Sequence, residues 1–149
     1  MEEKKEPQQL ISSIGKHTEF IGNLSTKDNL VIYGQIIGDI KCDQNIELYG
    51  NVTGDVCCKN VIVFHAEIHG NVACDDSIKI TTDSIIEGNI STGILESDGS
   101  IQGNIQASKY VQLMANSKTI GDIDAVTIGL ENGACVQGCV QVGSNEIDN

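Results

Sequence analysis

Arginine and tryptophan are absent from this 149-residue chain, and proline occurs once, at Pro7. Aromatic side chains are few, two Phe and three Tyr. No run approaches the roughly 20 consecutive apolar residues of a membrane-spanning helix. The stretch from Met1 to Leu10 lacks the apolar segment of an export signal. Lysine and arginine together number 9 against 21 acidic side chains, giving a formal charge of −12. Nucleic acid is therefore not an expected partner, because phosphate binding needs a concentrated basic surface. Electrostatic adsorption to anionic lipid is disfavoured for the same reason. The expected location is the cytoplasm, where six cysteines read as free thiols.

Ile, Val and Gly are plentiful instead, a mixture that favours pleated backbone with tight corners. Without internal proline, those corners fall to Gly, Asn and Asp. A tripeptide of Gly, then Asn or Asp, then an aliphatic residue recurs along the chain. It stands at Gly22-Asn23-Leu24, Gly38-Asp39-Ile40, Gly54-Asp55-Val56 and Gly70-Asn71-Val72. It returns at Gly88-Asn89-Ile90, Gly103-Asn104-Ile105 and Gly121-Asp122-Ile123, with a degenerate copy at Gly138-Cys139-Val140. Successive glycines are 16, 16, 16, 18, 15, 18 and 17 residues apart. A short, near-fixed period is the signature of a solenoid.

Within a repeat the apolar residues alternate: Leu30, Ile32, Gly34 and Ile36 before Gly38, then Ile40 and Cys42. Every second residue points inward, as in a strand with one buried face. Later repeats drift. An extra pair of residues is expected within Ser77 to Ser84, and Ser97, Gly99 and Thr119 take inward places. Bulges or widened corners are expected there. A coil of this size at roughly 3.3 Å per residue has a perimeter near 50 Å, and coils stack about 4.8 Å apart. The expected fold is all-β, one β-solenoid domain of about seven coils over residues 14–142. Short disordered tails are expected at 1–13 and 143–149.

In-register coils turn equivalent positions into ladders. The residue after each motif glycine gives Asn23, Asp39, Asp55, Asn71, Asn89, Asn104 and Asp122. Asn and Asp suit corners, and stacked amides bond along a rod. A calcium-binding or catalytic row of carboxylates is the competing reading, but only Asp39 and Asp55 are adjacent acids. Four residues past the glycines stand Cys42, Cys58 and Cys74, then Thr92, Ala107 and Ala125, all on the inward parity. In-register Cβ atoms about 4.8 Å apart are too wide for a disulfide, and a straight row does not converge on zinc. These cysteines are expected to be small buried hydrophobes. Cys57, Cys135 and Cys139 fall on the outward parity, which leaves metal binding or oxidative cross-linking open for the last two.

Tyr33, Tyr49 and His65 each stand five residues before a glycine and are expected to stack outside. His65 and His69 are expected to point the same way from one strand, too far apart to chelate. No nucleophile, base and orienting group share a useful spacing, and no helix follows the glycines to make a phosphate loop. Catalytic residues, cofactors and metals are not expected.

The phrases "LVIYGQIIGDIKC", "IELYGNVTGDVCC", "FHAEIHGNVAC" and "IGLENGACVQGCV" together resemble the bactofilin family, over about Thr18 to Val142. The resemblance implies a bacterial cytoskeletal protein with a right-handed parallel β-helix. It implies assembly without nucleotide into filaments that join like ends to like ends. It further implies scaffolding of cell shape, cell-wall enzymes or polar organisation, at the cytoplasmic face of the membrane in some members. Two features depart from the family. Met1 to Pro7 does not look like the short membrane-targeting segment of some members, and Val136 stands where the last coil often carries an aromatic residue.

A solenoid ends in two open coils, each with unpaired backbone and uncovered core, and many solenoids cap them. Leu10 to Ile14 is short and Gly143 to Asn149 is polar, so neither reads as a firm cap. The expected partner is then a second copy. Contact is expected at Phe20, Leu24, Leu30 and Ile32 at one end, and at Ile128, Leu130, Val136 and Val140 at the other. Two further readings remain. A non-polymerising adaptor would stay monodisperse. A trimeric left-handed β-helix enzyme, of acyltransferase or γ-carbonic anhydrase type, would show activity or bound zinc.

Overall fold

The computed structural model describes residues 11–143, and all regular structure within them is β-strand. Each coil has three sides. Coil 1 contains β1 (Ile11–Ile14), β2 (Glu19–Ile21) and β3 (Leu24–Thr26); coil 2 contains β4 (Asn29–Ile32), β5 (Gln35–Ile37) and β6 (Ile40–Cys42). Then come β7 (Asn45–Leu48), β8 (Asn51–Thr53), β9 (Val56–Val63), β10 (Glu67–His69), β11 (Val72–Ile80) and β12 (Ile85–Glu87). The rod continues through β13 (Ile90–Ser97), β14 (Ser100–Gln102), β15 (Ile105–Leu113) and β16 (Lys118–Ile120). It closes with β17 (Ile123–Ala125), β18 (Thr127–Leu130), β19 (Cys135–Gln137) and β20 (Val140–Val142). The long strands β9, β11, β13 and β15 bend from the third side of one coil into the first side of the next.

All pairing is parallel, in a 12-stranded sheet lining two sides and an 8-stranded sheet lining the second. Each coil gives one strand to the smaller sheet, so there are eight turns, because the degenerate Gly138-Cys139-Val140 copy also closes a coil. The count of about seven from intact motifs was one short. β1 begins ahead of the boundary expected at residue 14. Residues 1–10 and 144–149, most of the expected tails, lie outside the described residues.

Alternation places one residue in two inside, as the period-2 pattern requires. On the second side the inward column reads Phe20, Ile36, Val52, Ile68, Ile86, Ile101, Thr119 and Val136. The Cys42, Cys58, Cys74, Thr92, Ala107 and Ala125 column is buried, as are Ser97 and Thr119. These inward assignments agree with the parity of the sequence. Motif glycines hold φ values such as +144° at Gly54, and a Cβ there would overlap the Gly38 carbonyl of the coil before. Glycine at this corner is thus required twice, by conformation and by contact.

The extra pair falls within Ser77 to Ser84: Ser77 and Ile80 keep the regular two-coil step from Asn45 and Leu48, and both added residues lie in the turn at 81–84, where Asp83 has φ +70°. The slip between Cys74 and Ser77 in the pairing with β9 is the residue that coil 4 lacks. Two local expectations need correction. The aromatic column continues from Tyr33 and Tyr49 to Phe64, not to His65. Coil 4 is one residue short at Lys59, which brings Phe64 level with Tyr49, and His65 absorbs the difference in a left-handed corner at φ +48°. His65 and His69 consequently do not share a strand.

Candidate assembly surfaces

The two ends of the rod expose what its middle buries. At the N-terminal end, Phe20 and Leu24 face inward and are half-buried against the core, with nothing of the described chain stacked above them. Leu30 and Ile32 are fully buried one coil further in, paired beneath Ser12 and Ile14 of β1. At the C-terminal end Ile128 and Val136 are half-buried, while Leu130 is 54 % exposed and Val140 42 %. Sequence reasoning missed Val142, 49 % exposed at the end of β20. It also missed Ile11, Ile21 and Ile37, which lie on the outward parity of the first two coils. Their signal was present: isoleucine at outward positions that later coils fill with Asn, Thr, His and Glu.

Ten large hydrophobics are exposed among the described residues: Ile11, Ile21, Tyr33, Ile37, Tyr49, Ile120, Val126, Leu130, Val140 and Val142. The first five belong to coils 1–3 and the last five to the terminal turns from β16 onward; none falls in the middle coils.

The Asn/Asp column holds the rod together in one direction. Each side-chain oxygen accepts the backbone N–H of its equivalent one coil on, at 2.9–3.1 Å, from Asn23 through Asp39, Asp55, Asn71, Asn89, Asn104 and Asp122 to Cys139. The bonds run from side chain to main chain, not amide to amide, so Asp serves as well as Asn. Cys139 brings no oxygen, and the series stops at the last coil. A second column was not foreseen. Asn29 accepts the Asn45 N–H at 3.1 Å, the Asn60 amide donates to Asn45 at 2.9 Å, and the Ser77 hydroxyl donates to Asn60 at 2.7 Å.

The titratable groups are structural in their settings. His69 lies between Glu67 at 3.2 Å and Glu87 at 2.9 Å, and these two hydrogen bonds raise its pKa. The Cys58 and Cys74 sulfurs are 3.1 Å apart; their hydrogen bond and burial push the Cys58 thiol far up, so it stays protonated. Burial likewise raises Cys42. All six cysteines are free; Cys57 and Cys139 are exposed and Cys135 is half-buried. Among the described residues no three His, Cys, Asp or Glu side chains are grouped to hold a metal, and no helix is long and apolar enough to cross a membrane.

A model of the family "Bactofilin: Polymer-forming cytoskeletal" matches residues 12–92 and again 51–141. The chain belongs to the bactofilin family. The overlap of the two matches is what a bactofilin of self-similar coils produces, since the same pattern fits in more than one register. The chain is also similar to Bactofilin BacO of Myxococcus xanthus (strain DK1622), 32 % identical over 71 residues. That match covers 48 % of this bactofilin and 56 % of the relative's length. No solved structure matches it. The family is described as polymer-forming and cytoskeletal.

Proposed function

We propose that this bactofilin polymerises end to end, without nucleotide, into non-polar filaments that scaffold cell shape or cell-envelope machinery on the cytoplasmic side. The observation that carries the reading is that, apart from the flank tyrosines Tyr33 and Tyr49, the exposed hydrophobics fall in the first two coils and in the terminal turns of the rod. Clustered exposed apolar surface marks an interaction site, and an open coil leaves unpaired strand edges beside it. Phe20 and Leu24 form one contact, with Leu30 and Ile32 one coil further in beneath Ser12 and Ile14. Ile128, Leu130, Val136 and Val140 form the other, and residues 14–142 are the assembling body. If each end pairs with its own kind, two alternating two-fold contacts propagate a filament without polarity.

Negative-stain electron microscopy of the purified chain, with and without nucleotide, tests this. Thin unbranched filaments in both preparations are expected. A uniform small particle at every concentration would leave the rod an adaptor.

A further inference from the structure

The edge between the first and second sides of the rod is stepped. Coils 1, 5, 7 and 8 round it with four-residue turns closed by hydrogen bonds from Thr18 to Gly15, Ser84 to Thr81, Ser117 to Met114 and Ala134 to Glu131. Coils 2, 3 and 6 round it with only two residues, Tyr33-Gly34, Tyr49-Gly50 and Asp98-Gly99, and coil 4 with three. The single low coil between high ones, coil 6, is filled from within. Asp98 accepts the Thr82 hydroxyl at 3.0 Å on one flank and the Asn116 N–H at 2.9 Å on the other. Coils 5–8 therefore make an unbroken ridge.

Across coils 2 and 3 nothing among the described residues fills the step. A shallow recess of about 410 Å³ opens there, floored by Gly34 and Gly50, with Lys16 and His17 at its N-terminal rim. One wall is aromatic. Tyr33 lines it, and Tyr49 and Phe64 continue the stack beyond the recess, with centroids 4.8 and 4.7 Å apart. Coil 1 places Gly15 where a further ring would stand, so the outer face of Tyr33 is uncovered. The other wall carries Glu19, Gln35 and Asn51.

Gln35 and Asn51 are register partners in adjacent coils, yet neither side chain hydrogen-bonds to any described residue. In the two other columns of stacked amides, the Asn23 and Asn29 series, the side chains are bonded along the rod. Two unbonded amides about 4.8 Å apart, opposite an aromatic ring, match the chemistry of an extended peptide. Its main-chain groups would pair with the amides, and an apolar side chain would lie on the ring.

We propose that this recess docks an extended segment of a partner protein, with an apolar side chain against Tyr33 and a carboxylate toward Lys16. The proposal rests on the scaffolding part of the function above and names its class of client. It does not depend on the end contacts, because the recess lies on the flank of the rod.

A phage-displayed random heptapeptide library selected on the full chain, with counter-selection on a Gln35→Ala/Asn51→Ala double variant, tests it. The expected result is a consensus holding an apolar residue and a terminal acid. A synthetic peptide of that consensus should bind the double variant at least tenfold more weakly, and Tyr33→Ala likewise. Filaments of the double variant, read separately by electron microscopy, should be unchanged, so loss of docking and loss of polymerisation are distinguishable. Equal recovery on both proteins, or no enrichment, overturns the proposal. A consensus reproducing a stretch of this chain would give the recess to a second copy and overturn it too.

Discussion

Asp39 accepts the backbone N–H of Asp55, one coil along the rod, at 3.0 Å. Either Asn or Asp satisfies this contact, and an apolar residue does not. Asp39→Asn should leave stability nearly unchanged, whereas Asp39→Ala should lose about 1 kcal/mol, the net worth of one such hydrogen bond. Urea denaturation of the two variants decides it. Equal loss in both would mean that charge, not hydrogen bonding, holds the column.

Gly54 combines φ +144° with contact against the Gly38 carbonyl. Gly54→Ala adds a methyl group with nowhere to go, in a conformation that itself costs about 1–3 kcal/mol. The variant should be insoluble or lack the cooperative unfolding of the parent by circular dichroism. A well-folded Gly54→Ala protein would refute the stacked-corner account.

Thr119 is fully buried in the second-side column, and its hydroxyl has no hydrogen-bond partner. Thr119→Val keeps the shape and removes the unsatisfied group, so it should stabilise the rod by about 1 kcal/mol. A higher midpoint in thermal or urea unfolding is the expected reading, and a lower one would show that the hydroxyl is satisfied in solution.

His69 carries a pH dependence whose sign follows from its partners. Its folded pKa is raised by Glu67 and Glu87. The stabilisation is therefore fully present below the unfolded value of about 6.5, while the glutamates remain ionised, and is lost as pH rises through the folded pKa. Unfolding midpoints should fall from about pH 6.5 upward, and His69→Gln should flatten that slope. An unchanged slope in the variant would assign the dependence elsewhere.

The repeat was legible because a corner that only glycine fits cannot vary, so Gly22 to Gly138 print the coil length onto the sequence. Parity then gave the inward columns, including the three buried cysteines. What parity does not carry is a local change of coil length. One missing residue at Lys59 moved the aromatic place from His65 to Phe64, and the same deletion makes the pairing of β9 with β11 slip between Cys74 and Ser77. Spacing between glycines reports only the sum of such shifts. The ends were partly legible. Leu130 and Val140 follow from inward parity in the last coil, while Leu30 and Ile32 lie one coil inside β1. The outward Ile21 is not legible from parity, which marks only the inward positions.

End-to-end assembly through like ends is tested most directly by blocking one end. Val140 is 42 % exposed, so Val140→Asp should leave the fold intact. Negative-stain microscopy and analytical ultracentrifugation of this variant, beside the parent, read the outcome. Filaments from the parent and discrete dimers from Val140→Asp, joined through their intact N-terminal ends, are the predicted result. Monomers from the variant would mean head-to-tail joining, and filaments of parental length would mean that the C-terminal coil is not a contact at all.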